Sequence, residues 1–210
     1  MAYKIITIGR QYGCNGRVVG KSLSQSLGIE YYDRELIDMI ACKCGFAPGF
    51  VEQNCEYSSS GTFGYIPDSH AGLAAAAADQ TLLTPSDHLQ LGLSDTIRSL
   101  ADREARFVIV GRGADFVLRH RHDVLRVFLY ADEPSRIQTL IDRGETTSAE
   151  KAADLIAKRD RARRKNYKHY TGRTWGDPNN YHLCLNTGLL GVERCIRIIA
   201  KIFSGNPIQD

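Results

Sequence analysis

Four stretches of the chain, Ile5–Ile8, Phe107–Val110, Leu125–Tyr130 and Leu183–Leu185, are short runs that are apolar or nearly so. They lack the strict polar alternation of a strand with one wet face. Runs of this length suit strands covered on both sides, and such strands belong to a parallel sheet held between helical layers. A weaker fifth run, Ile29–Tyr32, adds another strand.

The segments between these runs carry a helical period. Val19, Leu23 and Leu27 recur every fourth residue, with Gly28 placed to end the helix. Leu36, Ile37, Ile40 and Ala41 follow, with Asp33 placed as a cap and Gly45 as a stop. Thr84-Pro85 followed by Asp87 marks a capped start for the face Leu89, Leu93, Ile97 and Leu100. Pro134 opens a helix bearing Ile137, Leu140 and Ile141, and Val192, Cys195, Ile196, Ile199 and Phe203 form a last amphipathic face. Strands alternating with helices imply right-handed βαβ units and the α/β class.

The length of 210 residues fits a single domain, 1–210, with its own core. Residues 46–84 break the alternation with Ser58-Ser59-Ser60-Gly61, further glycines and the alanine run Ala74–Ala78, and read as a helical or flexible insert. No leader-like basic and apolar segment opens the sequence, and no apolar stretch reaches the roughly 20 residues that span a bilayer. The expectation is a cytoplasmic protein with its six cysteines reduced. Cys42 and Cys44 point apart on a helix, and the six histidines lack ligand spacing, so no metal site is expected from the side chains. A net charge of +3 argues against nucleic-acid or membrane surfaces as partners.

The first apolar run leads into a glycine-bearing loop and then a helix. Main-chain N–H groups in such a loop can wrap an anion, and the helix N-terminus adds a favourable dipole. Arg10, Gln11, Tyr12, Gly13, Cys14, Asn15, Gly16, Arg17 and Val18 are the candidate cradle. The strict pattern G-x-x-x-x-G-K-[ST] is absent. Gly16-Arg17-Val18-Val19-Gly20-Lys21-Ser22 falls one residue short of it, and places Lys21 more than a turn into the helix.

Three further clusters carry charge. Asp33-Arg34 follows the second strand and Gly111-Arg112-Gly113 the third, both at the carboxyl edge where open α/β sheets collect ligands. Asp33 has two readings, a helix N-cap and a ligand-side carboxylate, which are compatible. Lys158–Lys165 is the densest basic run, with Arg159 and Arg163 on one helical face. It reads as a solvated basic helix, a phosphate-binding element, or, with Tyr167 and Tyr170, a nucleic-acid surface; the near-even overall charge disfavours the last.

Several dispersed motifs together resemble the cytidylate-kinase-like family. They are Thr7–Gly13 with Gly16-Arg17, Leu27–Ile37, Val108–Asp115, Tyr167–Pro178, Tyr181 and Leu183–Thr187. The resemblance implies a P-loop kinase-like three-layer sandwich with a mostly five-stranded parallel sheet. It implies an acceptor-side flap at 46–84 and a lid at 148–178. It implies an ATP-dependent phosphotransferase that uses Mg2+ and passes the γ-phosphoryl group to a nucleoside monophosphate or similar small phosphorylated acceptor. Small nucleotides are the partners, and monomer and homo-oligomer are both open. By the same resemblance Asp33, Arg159 and Arg163 are catalytic, and Asp33, Arg34, Arg112 and Asp160 serve the acceptor, with Asp160 holding an arginine. Arg17 is a catalytic candidate on physical grounds: phosphoryl transfer needs positive charge near the transferred oxygens, and Arg10 and Arg17 flank the loop. The sequence departs from the bacterial cytidylate kinases in the loop and after the third strand. Asn15 stands where a glycine is usual, Gly16 where they keep the loop lysine, Arg17 at a position often small or hydroxylated, and Gly113 where they keep an aspartate after Gly-Arg. These departures motivate an alternative, a nucleotide- or phosphate-binding module that has lost catalysis.

Overall fold

The computed structural model describes residues 3–33, 35–45, 47, 49, 84–103 and 106–205. Arg34 and nearly all of the 46–84 insert lie outside the described residues. Within them, strand β1 (Ile5–Arg10) is buried from end to end and pairs in parallel with β3 (Phe107–Val110) on one side and β4 (Val124–Tyr130) on the other. Strands β2 (Glu30–Tyr32) and β5 (Leu183–Asn186) complete the parallel order β2-β3-β1-β4-β5. β1 outlasts its apolar run because Gly9 and Arg10 keep main-chain register with Phe128 and Leu129 of β4.

The pleat divides the apolar side chains between two helical layers. Ile5, Phe107, Ile109 and Val124 face one cluster, which includes residues of α2 (Glu35–Cys44), α3 (Pro85–Asp102) and the short α4 (Ala114–Val117). Ile6, Ile8, Val108, Val110, Leu125 and Val127 face the other, against Val19 and Leu23 of α1 (Gly16–Leu27) and Ile199 and Phe203 of α8 (Val192–Phe203). The result is the expected three-layer sandwich. Beyond the sheet's carboxyl edge, α5 (Glu133–Asp142) packs on α6 (Ala149–Thr171) through Leu140, Ala152 and Ile156, with Tyr12 of the loop against them. The short α7 (Thr187–Leu190) links β5 to α8.

The helix ends carry the signals read in the sequence. Gly28 closes α1 in the left-handed conformation, with φ 62°. Thr84 and Asp87 form a reciprocal capping box at the start of α3, and Asp132 caps α5 ahead of Pro134. Ser148 caps α6 and Gly172 ends it.

Gly20 lies within α1 where the helix meets the sheet. A Cβ there would stand 2.7 Å from Val110 Cγ2 and 2.9 Å from Tyr31 Cε2. Lys21, beside it, is exposed, so the incomplete Gly-Lys-Ser match is a packing feature of this helix. Gly20→Ala is expected to cost about 1–3 kcal/mol through overpacking, despite alanine's better helix propensity. Urea denaturation would show it as a lower midpoint with an unchanged slope, whereas a midpoint at or above wild type would refute the tight helix–sheet approach.

Candidate active site

The loop leaving β1 divides into a committed half and an open half. Gln11 N donates to Leu129 O at 3.0 Å, and Gln11 Oε1 accepts from Ala131 N at 3.2 Å. Tyr12 N donates to Asp160 Oδ1 at 2.8 Å. These two amides therefore hold the loop in place and leave nothing to offer a ligand, so the amide cradle is shorter than the sequence suggests. From Gly13 to Gly16 the main-chain N–H groups have no acceptor among the described residues. Gly13 (φ 85°) and Asn15 (φ 57°) both adopt left-handed backbone, which turns this stretch into a concave bend ahead of the α1 N-terminus.

Side chains of the loop are less uniform than their amides. Cys14 is buried, and desolvation pushes its thiol up to about 12 against the opposing influence of Arg136, so it is a core residue. Asn15 Oδ1 accepts from Arg143 Nη2 at 2.5 Å. Arg17 Nε lies 2.6 Å from Oδ2 of buried Asp33, tying the start of α1 to the end of β2. Val18 is exposed.

Helix α6 is docked on this loop. Asp160, only 3% exposed, takes the Tyr12 amide on one oxygen and Arg136 Nη1 on the other at 2.6 Å. Arg136 comes from the first turn of α5, and nothing in the sequence pattern singled it out. Its position behind Gly13 also forbids a side chain there, since a Cβ would meet Arg136 Cβ at 2.9 Å. Arg163 Nη1 donates to Arg10 O at 3.2 Å. The Arg159 and Arg163 guanidinium carbons lie 6.0 and 5.4 Å from the Tyr12 ring centroid.

Beside the loop, a cleft opens at the carboxyl ends of β1 and β3. Its walls include Arg10, Arg112, Arg163, Asp115, Tyr170 and Trp175. The turn that supplies Arg112 is unusual: Gly111, Arg112 and Gly113 all have positive φ, at 76°, 61° and 64°. An arginine in that region stores about 1–3 kcal/mol of backbone strain, the kind that collects at ligand sites. Arg112 is only 7% exposed. Its Nε and Nη1 are buried and have no hydrogen-bond partner among the described residues.

Among the described residues, three guanidinium groups line the cleft and one carboxyl, Asp115, stands in its walls. Burial pushes the Asp115 carboxyl well above the ordinary range, although the Tyr167 hydroxyl donates to it at 2.6 Å. Asp115 thus does little to neutralise the arginines. Asp115 stands in the first turn of α4, at the cleft wall. Asp115 and Tyr170 lie within motifs read in the sequence but were not assigned to this site, and Gln90 lies in none; packing of α3, α4 and α6 brings the three together.

Comparison with known proteins agrees with this architecture. The chain belongs to the cytidylate kinase-like family, whose sequence model matches residues 5–189. The crystal structure of an uncharacterized protein from Eubacterium ventriosum ATCC 27560 superposes with a TM-score of 0.68 at 23% identity, covering 95% of this chain and 97% of that one. Shikimate kinase from Acinetobacter baumannii, in complex with shikimate, gives 0.50 at 15% identity over 99% and 96% of the two chains. Shikimate kinase from Bacteroides thetaiotaomicron gives 0.52 at 14% identity over 94% and 97%. At such identities these structures share the fold, that of the P-loop kinases. No curated protein matches the sequence at a significant level. Among the described residues, no helix is long and apolar enough to cross a membrane.

The buried Asp115 sets a pH dependence of stability. The folded chain keeps a proton that the unfolded chain releases above about pH 4. Stability contributed by this group therefore declines as pH rises from there through the raised folded value. Asp115→Asn retains an acceptor for Tyr167 and removes the titration. Urea melts between about pH 4 and 8 should show a flatter stability profile in the variant, and parallel profiles would mean that the carboxyl is ionised in the fold.

Proposed function

We propose that the protein is an ATP-dependent phosphotransferase that passes the γ-phosphoryl group to a nucleoside monophosphate or similar small phosphorylated acceptor. The observation that carries this reading is the buried, partnerless face of Arg112 in a cleft with two other guanidinium groups, next to a loop with four open amides. A buried cation without a partner is costly, and an anionic ligand relieves that cost.

In this reading the amides of residues 13–16 hold the donor phosphates, and Arg112 holds the acceptor's anionic group in bidentate fashion. Tyr170 and Trp175 offer flat walls for the remainder of a nucleotide-like acceptor. An acceptor oxygen attacks the γ-phosphorus, the bond from that phosphorus to the bridging oxygen of the β-phosphate breaks, and ADP leaves with the electron pair. Any proton on the acceptor oxygen passes to solvent. Positioning and positive charge supply the catalysis, with Arg17, Arg159 and Arg163 the remaining cations around the loop, and Asp33 and Asp160 holding Arg17 and Arg136 in place.

The described residues do not make a preformed Mg2+ site. Among the described residues no cluster of three metal-binding side chains exists, and Asp33 and Asp160 are engaged by Arg17 and Arg136. Magnesium would arrive on the nucleotide's own phosphates.

A second reading, a nucleotide-binding module without turnover, is favoured by one observation. Arg17, which follows the missing loop lysine, is committed to Asp33. Calorimetric titration with ATP, with and without Mg2+, followed by a panel of nucleoside monophosphates separates the two. Binding with diphosphate formation supports the enzyme. Binding without turnover supports the module, and a panel that yields no diphosphate above background defeats the nucleotide-kinase reading. For an active acceptor, Arg112→Gln is expected to raise KM by about 10–100-fold through loss of a charge-assisted pair. An unchanged KM would remove Arg112 from the acceptor site.

A further inference from the structure

Gly16 opens α1 where a phosphate-binding loop of this type ordinarily places its lysine, and the packing explains the glycine. A Cβ on Gly16 would stand 2.8 Å from Arg10 Cγ and 3.1 Å from Arg10 Cβ. Those atoms are the root of a side chain that leaves a buried strand and is itself 7% exposed, so they cannot swing aside as a flexible tip would. Farther along, the same side chain reaches the turn after β3, where a Cβ on Gly111 would lie 1.8 Å from Arg10 Nη1. The positive φ of Gly111 also favours glycine, but at Gly16, inside a right-handed helix, only the contact with Arg10 demands it. Arg10 therefore runs from the end of β1 across the first residue of α1 and ends beside Arg112, in the wall of the cleft.

We propose that Arg10 replaces the missing loop lysine. This rests on the reading given under Proposed function and names the cation that reading still requires. The strand, not the helix, carries the charge, and Gly16 is small so that the stem can pass. The stem passes the first residue of α1 and the guanidinium ends beside Gly111 and Arg112, on the acceptor side of the loop in this reading. Its fork can hold two oxygens of one phosphate. Because it sits on the acceptor side of the loop, it contacts the terminal phosphate of a triphosphate and not the phosphates of a diphosphate. Arg10 is thus a binding and catalytic residue that discriminates ATP from ADP, and positions 10 and 16 form a coupled pair.

The test uses the full chain and calorimetric titration with ATP and with ADP. Arg10→Met keeps the stem packed over Gly16 and removes the charge. It should weaken ATP binding about tenfold or more while leaving ADP binding within about twofold. Gly16→Lys alone should weaken ATP binding, since lysine and the Arg10 stem compete for one space. The double variant R10A/G16K, which removes the stem and restores a lysine, should bind ATP more tightly than either R10A or G16K alone. Thermal melts establish that each variant is folded, and R10Q serves in place of R10M if that one is not. An ATP-to-ADP preference in R10M equal to wild type, or a double variant no better than its parents, overturns the proposal while leaving the functional reading intact. A wild-type chain that binds neither nucleotide overturns both.

Discussion

Asp160 is the carboxylate on which the arrangement of the site depends. From the middle of the long helix α6 it accepts the Tyr12 amide with one oxygen and the Arg136 guanidinium with the other. Three elements that are remote in sequence, the loop after β1, the start of α5 and helix α6, are thereby held at one point. Burying a charge pair of this kind gives little net stability, because desolvation offsets most of the attraction. Its effect is geometric: removing either partner strands the other in a dry site, so the alternatives to this docking are costly. With Tyr12 N and Gln11 N committed, the loop has no freedom to collapse, and the amides from Gly13 onward stay open.

Among the described residues, two of the arginines around that opening are answered by named carboxylates. Asp33 answers Arg17 and Asp160 answers Arg136, while Asp115, the carboxyl in the cleft wall, is pushed toward its neutral form by burial. Arg112 is held in a strained backbone conformation with two of its nitrogens unpartnered and buried. Strain and desolvation at the same residue are each tolerated in folded proteins when a ligand profits from them. On the proposed reading, the cleft is preorganised for an anion, and its charges need no rearrangement when one arrives.

Membership of the cytidylate kinase-like family, and a fold shared with two shikimate kinases, leave the acceptor unnamed. One parallel sheet can carry many specificities, because the carboxyl-edge turns vary while the strands do not. Here the turn Gly111-Arg112-Gly113 supplies Arg112, and Gly16 opens α1. Both positions lie against the same cleft, one as its wall and one beneath the Arg10 stem.

Local chemistry decides the parts of this protein that the sequence makes legible. A buried parallel strand must be apolar on both faces, so Ile5–Ile8 and Phe107–Val110 declare themselves. Caps such as Thr84 with Asp87, and stops such as Gly28 and Gly172, act within one helical turn and are equally readable. Arg112 and the lid arginines were visible as charges at an edge or on a helix face. Their partners were not: Arg136 against Asp160, Asp115 beneath Tyr167, and Arg10 across Gly16 each join residues that only packing brings together. The sequence alone determined the sheet, its order of elements and the edge at which charge gathers. Tertiary structure alone decided which amides are spent, which guanidinium groups are satisfied and why position 16 is a glycine, because those are questions of space and desolvation between distant segments, and no local pattern records them.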